Sequence, residues 1–203
     1  QTAPRIHSKN SHASPSPLTD GKRIYVHFGH QGTACLDLDG KVVWKNTSLG
    51  YDPRHGNGGT PILVGDKLIF SCDGLDVRFL VALDRATGKV LWKTHREGET
   101  DNPYSFSTPL AITVNGQTQI VSPGSDVVNA YDADSGREIW RVYYDGYSVV
   151  PRPVFGHGLV FICTGFFTPR LLAIRPDGKG DVTDTHVVWS AKKAVSLTPS
   201  PVL

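Results

Sequence analysis

The sequence predicts an all-β protein, a β-propeller built from four-stranded antiparallel blades, and three observations carry that prediction. The four tryptophans, Trp44, Trp92, Trp140 and Trp189, stand 48, 48 and 49 residues apart, and the 203-residue chain has no others. Residues 82–92, ALDRATGKVLW, are echoed by residues 130–140, AYDADSGREIW. Pro17, Pro61, Pro109, Pro153 and Pro201 each follow Ser, Thr or Arg, and the first four open an apolar run. Self-similarity at a fixed period of this size marks an array of packed supersecondary units.

Each unit reads in the same order. After the proline comes a short apolar run, a Gly or Asn turn, and a Val-, Ile-, Tyr- or Phe-rich strand, as in TPILVGDKLIFSCDG at 60–74. A loop follows, then the "ALD" strand, a tight turn and the strand bearing Trp. Short β-rich runs separated by turn residues favour strands. No segment holds a 3.6-residue period, so no sizeable helix is expected. Asp84 and Asp132 suit the turn because Asp accepts from nearby backbone N–H groups, and Gly88 and Gly136 accept φ > 0. Each Trp then has a broad apolar face to bury and an N–H that needs an acceptor. CLDLDGKVVW at 35–44 is a shortened copy, and AIRPDGKGDVTDTHVVW at 173–189 carries an insertion in its turn. One four-stranded sheet cannot cover both its faces, so such units pack around an axis.

The pattern A-x-D-x-x-[ST]-G-x-x-x-W resembles the tryptophan-docking motif of quinoprotein-type propellers, the PQQ-like repeat family. Trp44, Trp92, Trp140 and Trp189, with Asp84, Gly88, Asp132 and Gly136, are the expected docking residues. WD40 is disfavoured, because Lys45, Lys93, Arg141 and Ser190 follow the tryptophans where that family has Asp. The runs HSKNSHASPSPLTDGKRIYVHFG and RPVFGHGLVFICTG further resemble BamB-like proteins of the bacterial envelope. The resemblance implies a ring of seven or eight blades and a periplasmic, cell-envelope or extracellular location. Blades are expected at 13–49, 58–95, 105–144 and 149–192, with the start of another at 194–203. The chain is therefore expected to be part of a longer ring. Standing alone, an open half-ring would leave uncovered blade faces, and self-association into an eight-bladed ring would repair it.

Composition narrows the function. A net charge of +2, with 20% charged residues scattered over all repeats, gives no basic stripe for nucleic acid. No apolar run approaches a transmembrane length. Cys35, Cys72 and Cys163 fall in different blades and are expected as small buried hydrophobes rather than disulfide partners. By resemblance, a PQQ-dependent dehydrogenase would carry a vicinal Cys-Cys pair, a Glu/Asn/Asp cluster for calcium and an Asp base. This chain has no Cys-Cys and no C-x-x-C-H, and its acidic residues sit mainly in turns. No catalytic residue and no metal-ligand set is assigned, which points away from an enzyme. PQQ with calcium enters only under the alternative, a piece of a quinoprotein oxidoreductase.

The loops offer the remaining candidates. In a propeller, the loops entering the inner strand and those between the second and third strands emerge on one face. Here they are 5–13, 50–58, 95–106 and 145–151, with 29–32, 73–78, 124–127 and 165–170. Binding residues concentrate on loops held by a rigid scaffold. His12, His30, Arg54, His55, Arg96, Tyr104, Phe166, Phe167 and Arg170 are the candidates there for a protein or small-molecule ligand, along with Arg5 and Lys9. Arg152 joins them because it replaces the Ser or Thr that precedes proline elsewhere. His27, inside a strand, is expected to be a hydrogen-bonded structural histidine.

Overall fold

A computed structural model describes residues 6–8 and 10–203; Arg5 and Lys9 lie outside the described residues. Four sheets follow one another along the chain. The first holds Leu18–Thr19 (β1), Ile24–His27 (β2), Thr33–Leu36 (β3) and Val42–Asn46 (β4). The second holds Ile62–Val64 (β5), Lys67–Asp73 (β6), Arg78–Asp84 (β7) and Val90–His95 (β8). The third holds Leu110–Val114 (β9), Gln117–Pro123 (β10), Val127–Asp132 (β11) and Glu138–Tyr143 (β12). The fourth holds Val154–Gly156 (β13), Leu159–Cys163 (β14), Leu171–Ile174 (β15) and Val187–Ala191 (β17). Each is an antiparallel meander, the expected blade.

Two features depart from the expected regularity. The insertion before Trp189 forms Gly180–Asp181 (β16) and a helical turn, Thr183–His186 (α1). β16 pairs in parallel with β12, so the third blade has five strands. Residues 194–203 hold no assigned strand, and Ser200 among them occupies the station before proline one repeat after Arg152.

Burial explains the alternation within strands. β6 and β7 are buried along most of their length because other blades cover both faces, and Leu68, Ile69, Phe70, Phe79, Leu80 and Leu83 are shut from solvent. Side chains of one face join Tyr25, Cys35 and Trp44 of the first blade, while those of the other join Ile120 and Tyr131 of the third. All three cysteines are buried and unpaired.

The turns show why Asp, Gly and Trp recur. The Asp84 carboxylate accepts from Thr87 N at 2.7 Å and Thr87 Oγ1 at 2.6 Å, and Asp132 does the same with Ser135. Gly88 has φ +72° and lies against the Trp44 ring, leaving no space for a Cβ. Gly136, at φ +71°, lies equally close to Trp92. Trp44 Nε1 donates to Arg85 O at 3.0 Å and Trp92 Nε1 to Ala133 O at 3.1 Å, each on the following blade. Two tryptophans differ. Trp140 Nε1 donates within its own sheet to Gln119 Oε1 at 2.9 Å. Trp189, expected as a docking residue, is 43% exposed, with its ring 5.8 Å from Phe161. Among the described residues no following turn lies against it.

The residue before each proline also has a structural purpose. Ser16 N donates to Thr60 Oγ1 at 3.1 Å, Thr60 N to Thr108 Oγ1 at 3.0 Å, and Arg152 N to Ser200 Oγ at 3.0 Å. Each amide at this station is thus answered by a hydroxyl one repeat further on. The step from the third to the fourth blade differs because Arg152 has no hydroxyl. There Ser107 Oγ donates to Pro151 O at 2.8 Å.

Candidate functional site

The loops entering the inner strands are tied to the loops between second and third strands by hydrogen bonds. Leu75 N donates to Asp52 O at 2.8 Å, and Asp52 N to Asp76 Oδ1 at 2.7 Å. Asp126 N donates to Gly146 O, and Phe166 N to Tyr147 O, both at 2.8 Å. Adjacent entering loops are joined as well, through Ser148 N to Tyr104 O at 3.2 Å and Phe106 N to Val149 O at 2.8 Å. The result is one stitched face.

Two neighbouring clefts open on it. One, ≈ 890 Å³, is lined by Ile6, His7, His30, Tyr51, Arg54 and His55 among others. The second, ≈ 670 Å³, is lined by His7, His55, Tyr104, Phe106, Tyr147 and Phe166 among others. His7 and His55 belong to both walls, so the clefts form one trough. Along it the rings stack edge to face: His7 on His55 at 5.6 Å, His55 on Tyr104 at 5.2 Å, Tyr104 on Tyr147 at 6.0 Å, Tyr147 on Phe166 at 5.7 Å. His55, Tyr104 and Tyr147 stand five, four and five residues before Thr60, Thr108 and Arg152. The row is therefore a repeat feature, with one ring from each of three successive blades.

The trough is close to neutral. Burial lowers the His55 imidazole, helped by Arg54 and His7, and burial with the nearby His12 lowers that of His30. Both rings are consequently neutral at pH 7. Burial, and then Tyr147, raises the Tyr104 phenol. His30 stands 6.3 Å from Tyr51, edge to face, and both its ring nitrogens are buried without a hydrogen-bond partner. Arg54 supplies positive charge from an exposed, left-handed backbone (φ 51°). Phe167 is 72% exposed and also left-handed (φ 83°), a conformation costing a non-glycine residue roughly 1–3 kcal/mol. Its ring lies 6.5 Å from Tyr147, at the open end of the row.

The structure brings together His30, Arg54, His55, Tyr104 and Phe166, with Phe167 beside them. His12 bonds through Nδ1 to Gln31 Nε2 at 3.1 Å. Arg170 donates its backbone N to Thr164 Oγ1, and Arg152 is exposed. Arg96 corrects the expectation of a free loop cation. It is 5% exposed, in the seam between the second and third blades, where it donates to Asp73 Oδ1 (2.8 Å), Ser122 O (2.9 Å), Ser122 Oγ (2.6 Å) and Asn129 Oδ1 (3.0 Å). A loop arginine and a buried one look alike in sequence. His27 is buried as expected, with Nδ1 2.8 Å from Thr33 Oγ1, but its Nε2 has no partner. Tyr51 and Phe106 were not among the candidates, whereas Tyr147 lies in a loop marked as able to bind, four or five residues before the station like His55 and Tyr104.

Cys35, Cys72 and Cys163 are buried in three different sheets, and no group of three or more His, Cys, Asp or Glu is placed to hold a metal among the described residues. Also among these residues, no helix is long and apolar enough to cross a membrane.

Comparison with known proteins sets this face in context. A family profile described as outer membrane protein assembly factor BamB matches residues 5–95 and 77–199. The lanthanide-dependent methanol dehydrogenase of Methylorubrum extorquens is 30% identical over 67% of this chain and 24% of its own length. The structure of quinohemoprotein alcohol dehydrogenase from Comamonas testosteroni superposes with a TM-score of 0.64 at 17% identity, over 90% of this chain and 35% of that one. BamB from Moraxella catarrhalis gives a TM-score of 0.57 at 14% identity, over 89% and 48%. The chain thus spans about a quarter of the dehydrogenase and about half of BamB.

Proposed function

The chain belongs to the BamB-like family of PQQ-type β-propellers, and from that premise we propose that it is a non-catalytic binding or scaffold module of the bacterial cell envelope. Its loop-face trough receives an aromatic or aliphatic group of a protein or small-molecule ligand. The observation that carries this reading is the row of edge-to-face rings from His55 to Phe166 along the trough floor. Neutral imidazoles and phenol faces reward burial of apolar surface, and aromatic pairs add roughly 0.5–1.5 kcal/mol beyond area. The exposed, strained Phe167 is a second support, since backbone strain persists where its surroundings hold it and clusters at ligand clamps.

A second reading, part of a quinoprotein oxidoreductase, is favoured by the 30% identity to the methanol dehydrogenase. One experiment separates the two. A photoreactive phenylalanine analogue replaces Phe167 in one variant and the exposed Leu38 in another, with crosslinking in bacterial envelopes. The binding reading expects a discrete adduct from position 167 that Tyr147→Ala abolishes, and none from position 38. Failure to crosslink, together with saturable quenching of intrinsic fluorescence by PQQ and calcium, would put the oxidoreductase reading in its place.

A further inference from the structure

The outer edges of the blades carry an independent observation. β4, β8 and β12 are equivalent outermost strands, in register at Trp44, Trp92 and Trp140. Among the described residues, β12 alone of the three has its outer edge covered, by β16 running parallel with Trp140 opposite Gly180 and Arg141 opposite Asp181. Val182 N donates to Arg141 O at 3.0 Å, and Tyr143 N to Thr183 Oγ1 at 2.9 Å. The covering segment sets Gly180 opposite the tryptophan and Asp181 opposite Arg141, whose guanidinium also pairs with Glu138 at 2.6 Å and Glu97 at 3.5 Å, and its Val182 is buried in the same cluster as Trp140.

The other two edges repeat half of this arrangement. The residue before the tryptophan, partly buried in the core as Ile139 in the covered blade, is 41% exposed as Val43 and 47% exposed as Leu91. The residue after it, Arg141 in the covered blade, is Lys45 or Lys93. Among the described residues, β4 and β8 end their sheets with no further strand. A row of unpaired edge groups beside exposed apolar side chains is a template for an added strand. Lysine at the centre of each edge opposes pairing with another copy of the same edge, because like charges directly opposite are destabilising. An incoming strand of complementary charge sets a carboxylate opposite that lysine, as β16 sets Asp181 opposite Arg141.

We propose that the outer edges of β4 and β8 are docking sites for an extended acidic segment of a partner protein. It adds in parallel, with Asp or Glu opposite Lys45 or Lys93. β17 has Ser190 at that position and does not take part.

The probe is a synthetic peptide with the sequence of residues 178–186, the chain's own covering segment. Amide chemical shifts of the folded chain are followed as peptide is added to millimolar concentration. The expected result is saturable shifts at residues 42–46 and 90–95 and none in β17. Binding should weaken at least tenfold when the aspartate corresponding to Asp181 is replaced by asparagine. Lys45→Glu should remove the response at 42–46 while leaving that at 90–95, a readout that global unfolding cannot mimic. Absence of saturation, shifts confined to the loop face, or equal binding by the asparagine peptide would each overturn the proposal.

Discussion

The seam between the second and third blades and the seam between the third and fourth solve one problem in two ways. At the first, Trp92 crosses to the next blade, lies on the Gly136 turn and donates to Ala133 O. At the second, the turn aspartate is replaced by Arg175 and the turn is enlarged to hold β16 and α1. With no tight turn to receive it, Trp140 donates to Gln119 of its own blade. Gln119 faces Asp132 in the register by which Lys67 faces Asp84. Lysine cannot accept from an indole, and glutamine can. The lesson is that the tryptophan's burial and its hydrogen bond are separable: the loss of one acceptor is offset by a single residue two strands away in the same sheet.

The largest test of this comparison removes the ring. Trp140→Ala is expected to lower stability by about 3–5 kcal/mol in urea unfolding, as for a fully buried large aromatic, and Trp189→Ala by distinctly less because 43% of its surface already faces water. Equal losses would mean that the two positions are packed alike in solution. Next in size, Gly136→Ala places a Cβ 2.5 Å from the Trp92 ring at φ +71°. Overpacking and the left-handed backbone together should cost roughly 2–4 kcal/mol. Gly180→Ala, at φ +68° with open space around it, should cost only the backbone part, roughly 1 kcal/mol. Melting curves that shift equally would remove the turn contact from the account.

The smallest effect sharpens a third seam, between the first and second blades. His27 is packed 4.2 Å from the Phe70 ring, and burial pulls its imidazole down to about 3. The unfolded chain therefore binds the extra proton between pH 6.5 and about 3. Stability is held above that window and lost as pH falls through it, by about 2 kcal/mol at pH 5. His27→Gln should flatten stability against pH over this range, and an unchanged acid slope would assign the loss to other groups.

Much of this architecture was legible because the repeat writes it four times. Trp44, Trp92, Asp84 and Gly136 recur for geometric reasons, so periodicity alone locates the sheets and their turns. The loop face followed from the same periodicity, and His55, Tyr104 and Phe166 meet there. What escaped was whatever depends on a single partner. Arg96 reads as a loop cation until Asp73, Ser122 and Asn129 are seen around it. Gln119 is one polar residue in a strand, and nothing in its neighbours announces an indole. The insertion at 175–186 could be seen but not its destination, since pairing with β12 is non-local.

The hydroxyl-to-amide hand-off at the residue before each proline has a consequence for how such rings grow. A segment running from one Ser/Thr-Pro to the next carries an amide that looks forward and a hydroxyl that looks back. Tandem copying of that segment inserts a unit whose two joins are already written at its ends. Copy number can then drift without inventing a new contact, leaving circumference and closure to select the count. Arg152, which lacks the hydroxyl, marks a join where that interchangeability has been given up.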